Sequence, residues 1–257
     1  MIFTDPLPFE EALKSRAVKR AMPTNLGSRE LQSLGREIRD FAHFSARTSN
    51  VTLLERQSNI IEQLLRPGRQ VEGLEVIADP ATARTALKDM LGKIGYDPDK
   101  DPNKPKPGSL QDLSSDARID LIVRTNTEIA KGAGKYAADQ DPARLEAWPA
   151  QELVRFESRN DKRDWLRRFN EAGNAGGGSG WTVQGGRMIA LKDDPVWSML
   201  GDPRLFDDGL GNPYPPFAFN SGMWTRDVSR AEAVDFGLLE PDSPPPEPQP
   251  VSFARTS

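Results

Sequence analysis

The chain contains one histidine, His43, and no cysteine. A nucleophilic triad would have to recruit that single imidazole as its base, and His43 sits between Ala42 and Phe44 in an apolar-periodic segment. The expected state is a hydrogen-bonded, partly buried helix residue. Thiolate metal sites, cysteine nucleophiles and disulfide frameworks are excluded by composition. Carboxylates offer more. Asp193-Asp194 and Asp207-Asp208 are spaced to bind a hard cation, but each pair adjoins Pro or Gly, where Asp commonly serves turns. Glu152 and Glu157 stand five apart, so on a helix they diverge. "GNAGGGSG" and "QGGR" have glycines but no following Lys-Ser/Thr, which favours a loop and a hairpin turn over a phosphate cradle. No metal or cofactor is expected.

Arg155, Arg159, Lys162, Arg163, Arg167 and Arg168 form the densest basic run, interleaved with Glu152, Glu157, Asp161 and Asp164. One reading is a solvated helix face with i, i+4 pairs. The other is a contact for DNA backbone or an acidic protein surface, with Arg155, Arg159, Arg163, Arg167 and Arg168 as its residues.

These residues need elements to position them. With 37% hydrophobic and 28% charged residues and a mean hydropathy of -0.60, the 257-residue chain has a modest core. Its 22 prolines and 21 glycines require long irregular connections. Net charge is -4, which supplies no global attraction for nucleic acid. No apolar run reaches the ~20 residues that span a bilayer, and the start, "MIFTDPLPFEEALKSR", lacks the apolar stretch of a secretory signal.

Helical spacing predicts helices over Pro8–Arg20, from Ser28 through Phe44, over Val51–Leu65, and from Pro80 behind an Asp79 cap. "DPDKDPNKPKPGS", 97–109, holds four prolines and no large apolar residue, so it reads as an exposed linker. A helix capped by Ser114 or Ser115 follows, with Arg124, Thr125 and Asn126 interrupting its apolar stripe. A long charged helix is expected from Pro149 to Gly173. "WTVQGGRMIAL" predicts a hairpin, Trp181–Leu191, turning at Gly185-Gly186. The chain should then be irregular until a short closing helix capped by Asp227 or Ser229. Within it, "GNPYPPFAFNSGM", 211–223, crowds three prolines and three aromatics together. Such a stretch is a poor helix and a poor interior strand, yet its rings are costly to leave in water. The tail from 241 has six prolines and is expected to be disordered or extended. The fold class is therefore α+β and predominantly α-helical. Its parts are a helical region (1–96), a linker (97–109), a C-terminal domain (110–240) and a disordered Pro-rich tail (241–257).

Taken in order, "LIVRTNTEIAKG", "RNDKRDWLRRF", "DDPVW" and "PYPPFAFNSGM" resemble the phage minor head proteins typified by the Mu F-like, or head-morphogenesis, family. The resemblance covers about residues 115–238. It implies a structural protein inside the virion head, found in host cytoplasm during assembly and not at a membrane. It implies contact with the portal protein or major capsid protein and a part in packaging or ejecting double-stranded DNA, which it would touch through the backbone. Many relatives close the Pro-Pro-aromatic motif with Cys-Arg-Cys. Here Ser221-Gly222-Met223 stands in that place, so rigidity must come from packing. The expected structural cap is Trp197, Tyr214, Pro215, Pro216, Phe217, Phe219 and Asn220, folded back on the helix carrying Arg124, Thr125 and Asn126, whose polar groups would serve its backbone. The competing class is a small hydrolase or nucleic-acid-modifying enzyme using Asp and Glu residues of the C-terminal domain.

Overall fold

In the computed structural model, the described residues are 10–66, 77, 79–158 and 163–251. They form two compact units that part between Lys131 and Gly132. About 43% of the chain is helix and 13% strand, so the predominantly helical α+β class holds. Among the described residues no helix is long and apolar enough to cross a membrane.

The first unit begins with α1 (Glu10–Ala17); Pro8 and Phe9 lie outside the described residues. The helix expected from Ser28 to Phe44 is two short ones, α2 (Ser28–Gln32) and α3 (Arg36–Phe41), interrupted at Gly35. Glycine in a helix interior costs backbone entropy, and here the chain uses it as the N-cap of α3. His43 is consequently not helical. It lies in β2 (Ala42–His43), paired in parallel with β1 (Arg20–Ala21). The next two helices follow their sequence signals. Asn50 caps α4 (Val51–Leu64) by accepting from Leu53 N, and Asp79 caps α5 (Pro80–Lys93) by accepting from Thr82 N. Leu53, Ile60, Leu87 and Leu91 from these helices join Ile119 and Val123 in one core.

That core explains where the units part. Residues 97–109 are turns, as the prolines suggest, but Leu113, Ile119 and Val123 beyond them still pack on α4 and α5. The boundary expected at 97–109 therefore falls later, inside α6 (Asp116–Ala138). Ser115 caps α6, its Oγ accepting from Arg118 N at 3.1 Å.

The second unit takes the last turns of α6, then α7 (Pro142–Ala147). The long helix expected from Pro149 does not form. Ala150–Arg155 is strand β3, and the helix restarts as α8 (Trp165–Gly176). β3 pairs antiparallel on both sides, with β5 (Arg187–Leu191) and β6 (Met223–Val228). With β4 (Trp181–Gln184), the sheet order is β4-β5-β3-β6. A central strand is buried on both faces, which erases the alternation that marks a half-exposed strand and leaves "AQELVR" resembling a helix turn. One local signal does mark the restart: Asp164 accepts from Arg167 N at 3.0 Å as the cap of α8.

The β4–β5 hairpin forms as expected, with Gly185 and Gly186 at φ 58° and 80°, the left-handed conformations this turn requires. Residues 192–226 are not wholly irregular, since α9 (Val196–Leu200) and most of β6 fall within them. Ser229, not Asp227, caps α10 (Arg230–Asp235), accepting from Glu232 N. The tail to 251 has no helix or strand, but it is anchored: Gln249 N donates to Gln140 Oε1 at 2.7 Å and Pro246 is buried. Residues 252–257 lie outside the described ones.

Candidate functional site

The Pro-aromatic segment closes the core of the second unit. Phe217 is fully buried and stacks on Trp197, ring centroids 6.0 Å apart and planes at 23°. Trp197 meets Phe169 of α8 edge-on at 5.8 Å. Leu153 of β3 and Met223 of β6 complete the floor. Burying one such ring contributes about 1.5–3 kcal/mol, and the offset and edge contacts add to it. Tyr214, Pro215 and Pro216 are buried as expected. Phe219 is only half-buried and Asn220 is exposed with φ 54°, so these two form the rim and not the body of the cap. Trp197 Nε1 donates to Leu191 O at 2.8 Å, which gives its polar end a partner.

On the α6 side, Tyr214 lies 5.4 Å from Tyr136, centroid to centroid. The Pro215 carbonyl sits against Gly132. A β-carbon there would come within 1.7 Å of that oxygen.

Irregular backbone needs hydrogen-bond partners when buried. Two arginines of the basic run supply them. Arg168 is buried; its Nε and Nη2 donate to Leu200 O at 3.2 and 2.8 Å, and Nη1 meets Asp208 Oδ1 at 2.6 Å. Its guanidinium lies 4.0 Å from the Phe206 ring centroid and 4.9 Å from that of Trp165. Burial lowers its pKa, and Asp208 offsets part of that effect. Arg163 Nε meets the other Asp208 oxygen at 2.6 Å, and its Nη2 donates to Phe219 O at 2.7 Å. Asp208 thus joins two arginines that each hold a carbonyl of the 200–220 segment.

This corrects one expectation. Arg163 and Arg168 are not a free basic face. Arg155 and Arg167 are exposed, Arg167 reaching Glu171 at 3.3 Å, and Arg159 lies outside the described residues. α8 and the segment just before it supply donors to the cap's carbonyls. Asn126 donates to Ile122 O one turn back in α6, Thr125 is buried, and both belong with Arg124 to the first unit.

Several of the carboxylates considered for chemistry make contacts within the fold. Asp194 accepts from Gly180 N and Val196 N at 2.9 and 2.8 Å. Glu152, on β3, is bound by Arg187 and Arg226. Asp193 is pushed upward by burial, with Glu247 N donating to it. Among the described residues no three His, Asp or Glu side chains gather as a metal site would require.

Sequence reasoning missed a second polar group, where the last turns of α6 meet the sheet. Lys135 Nζ lies 2.5 Å from Asp139 and 2.9 Å from Asp227. Arg144 Nη2 reaches the same two carboxylates at 3.1 and 3.2 Å. Lys192 Nζ lies 3.2 Å from Asp139 and 3.1 Å from Asp227. Burial raises the Asp227 carboxyl, but Lys135 and Lys192 outweigh it and hold the group below the usual carboxylate range. The group adjoins a small cleft lined by Gly132, Gln151, Tyr214 and Thr225. The residues come from α6 and the turn after it, α7, the position after β5, and β6, so no local pattern announces them.

Comparison with family models, curated proteins and solved structures finds no match to this chain.

Proposed function

We propose that the chain is a structural minor head protein of a tailed phage or prophage, associated with the portal and acting in head assembly. The observation that carries this reading is convergence. Trp197 of "DDPVW" stacks on Phe217 of the Pro-aromatic motif and touches Phe169 of the Trp- and Arg-rich motif. Three motifs whose order suggested the family meet in one core, which is what a shared structural module requires. The polar residues nearest that core are committed to carbonyls and ion pairs, as in a site whose purpose is rigidity.

The surface left for partners favours protein over DNA. Among the described residues, Arg155 and Arg167 are the exposed arginines of the basic run, and phosphate contacts from two such charges give weak, strongly salt-dependent binding. Phe156 beside Arg155 is 77% exposed, and an exposed aromatic with a neighbouring arginine suits a protein interface. Portal or major capsid protein is the partner this favours.

The test is assembly. The chain is expressed with the portal and major capsid proteins of the same phage or prophage, and purified particles are examined by mass spectrometry. Incorporation at a fixed low copy number is expected. Particles of normal composition that lack the chain, with no portal complex in solution, would overturn the reading.

A further inference from the structure

The Pro-rich tail is held against the second unit in a regular way. From Ser243 to Pro250 every residue is a proline or directly precedes one. Proline fixes φ at about −65° and pushes the residue before it toward extended backbone, so this stretch has little conformational freedom to lose. Its burial repeats every third residue. Ser243 is half-buried, Pro246 is buried with half-buried Pro245 beside it, and Gln249 is half-buried, while Pro244, Glu247 and Pro250 are exposed. Three residues per turn is the period of a polyproline II helix and not of a strand.

Three side chains of the second unit hold this segment, each through the segment's main chain. Arg230 Nη1 donates to Ser243 O at 2.9 Å. Asp193 Oδ2 accepts from Glu247 N at 3.3 Å, and Gln140 Oε1 accepts from Gln249 N at 2.7 Å. Two of the three are oriented without the tail: Gln140 Nε2 donates to Tyr136 O at 2.9 Å, and Arg230 Nε meets Glu146 O at 3.2 Å and its carboxylate at 3.0 Å. The face therefore reads a polyproline backbone and one buried proline ring, and the side chains of Pro244, Glu247, Pro248 and Pro250 stay outside. One residue of the tail is mismatched. Glu247 enters beside Asp193, a carboxyl that burial first, and then Asp194 and Glu247, push upward. The position suits a cation, and the tail places an anion there.

We propose that the face formed by Gln140, Asp193 and Arg230 is a docking site for a proline-rich segment of a partner protein, one with Lys or Arg where the tail has Glu247, and that the tail occupies the site in cis as a weaker competitor. A tethered segment acts at an effective concentration in about the millimolar range, so it keeps weak ligands out and yields to a tighter one. A preformed polyproline helix loses little entropy on docking, which lets so short a contact bind. The proposal stands on these residues and not on the head-protein reading.

The experiment uses the full chain labelled with nitrogen-15 and two unlabelled peptides, residues 241–251 as they stand and the same peptide with Glu247→Lys. Solvent exchange of the Glu247 and Gln249 amides of the chain reports release of the tail, and the Gln140 side-chain amide reports occupancy of the site. Both peptides are expected to displace the tail saturably, so that the two amides exchange faster while Gln140 keeps its bound-state shift. The lysine peptide should do so at a concentration at least about threefold lower. Pro246→Asp in the chain is the deciding variant, because it removes the buried ring of the tail and leaves the site intact. It should bind the lysine peptide about tenfold more tightly than the wild-type chain does. Gln249→Pro, which deletes the amide that Gln140 accepts, makes the same test with a smaller gain and covers a folding failure of the first variant. No displacement, no preference for the lysine peptide, or equal affinity in the wild-type chain and the variants would overturn the proposal. A dimer in sedimentation equilibrium that Pro246→Asp abolishes would overturn it too, by assigning the site to the tail of a second copy.

Discussion

Gly132 of α6 and the carbonyl oxygen of Pro215 are in direct backbone contact, so close that a β-carbon on Gly132 would lie 1.7 Å from that oxygen. The clash is with backbone and not with the tip of a flexible side chain, so helix and cap would have to separate. Gly132→Ala is therefore expected to destabilise the second unit by about 1–3 kcal/mol or more, despite the better helix propensity of alanine. Gly92 is the control: nothing lies within 4 Å of its would-be β-carbon, and Gly92→Ala should be neutral or stabilising by up to about 1 kcal/mol. Chemical denaturation of both variants checks this, and equal effects would remove the close-packing argument.

Phe217 and Phe219 should respond differently to truncation. Phe217→Ala removes a fully buried ring stacked on Trp197 and is expected to cost about 3–5 kcal/mol. Phe219 is half-buried at the rim, so Phe219→Ala should cost clearly less. Near-ultraviolet circular dichroism, which reports the tryptophan environment, should collapse in the first variant and persist in the second.

The arginines of the basic run divide in the same way. Arg163→Gln loses the Asp208 pair and the bond to Phe219 O, and should cost about 1–3 kcal/mol. Arg167 is 73% exposed at its side chain, and Arg167→Gln should stay within about 0.5 kcal/mol of wild type. Asp208→Asn tests the shared carboxylate: it weakens the neutralisation of buried Arg168 and is expected to destabilise more than either. Comparable melting temperatures for all three would show that the clamp contributes nothing.

His43 gives the first unit an acid sensitivity. Burial first, then Arg16 and Lys19, push its pKa down to about 3 from the ordinary 6.5. Between these two values the unfolded chain binds the proton and the folded one does not. The stability is fully present above about pH 6.5 and is lost progressively as the pH falls toward 3. At pH 4.5 the loss attributable to His43 is about 2–3 kcal/mol. Hydrogen exchange of the α4 core amides at pH 7 and 4.5, corrected for intrinsic rates, should show it. In His43→Gln that pH dependence should disappear; an unchanged slope would assign the sensitivity to other groups.

Much of the architecture was legible locally. Caps at Asp79, Ser115 and Ser229, and the paired glycines of the hairpin, act through neighbours within a few residues, so their meaning survives in a short window. The aromatic content of 211–223 also announced burial, because those rings have nowhere cheaper to go. What local pattern could not decide was pairing. Ala150–Arg155 becomes a strand because β5 and β6, tens of residues away, offer both of its edges hydrogen bonds. Arg163 and Arg168, read in the sequence as a charged face, also donate to carbonyls of the cap segment, because Asp208, Phe219 O and Leu200 O are brought within reach only when the chain closes. The ion pairs of Lys135, Arg144 and Lys192 with Asp139 and Asp227 were out of reach for the same reason: a side chain's charge balance is set by what surrounds it in space, which composition and spacing along the chain do not specify.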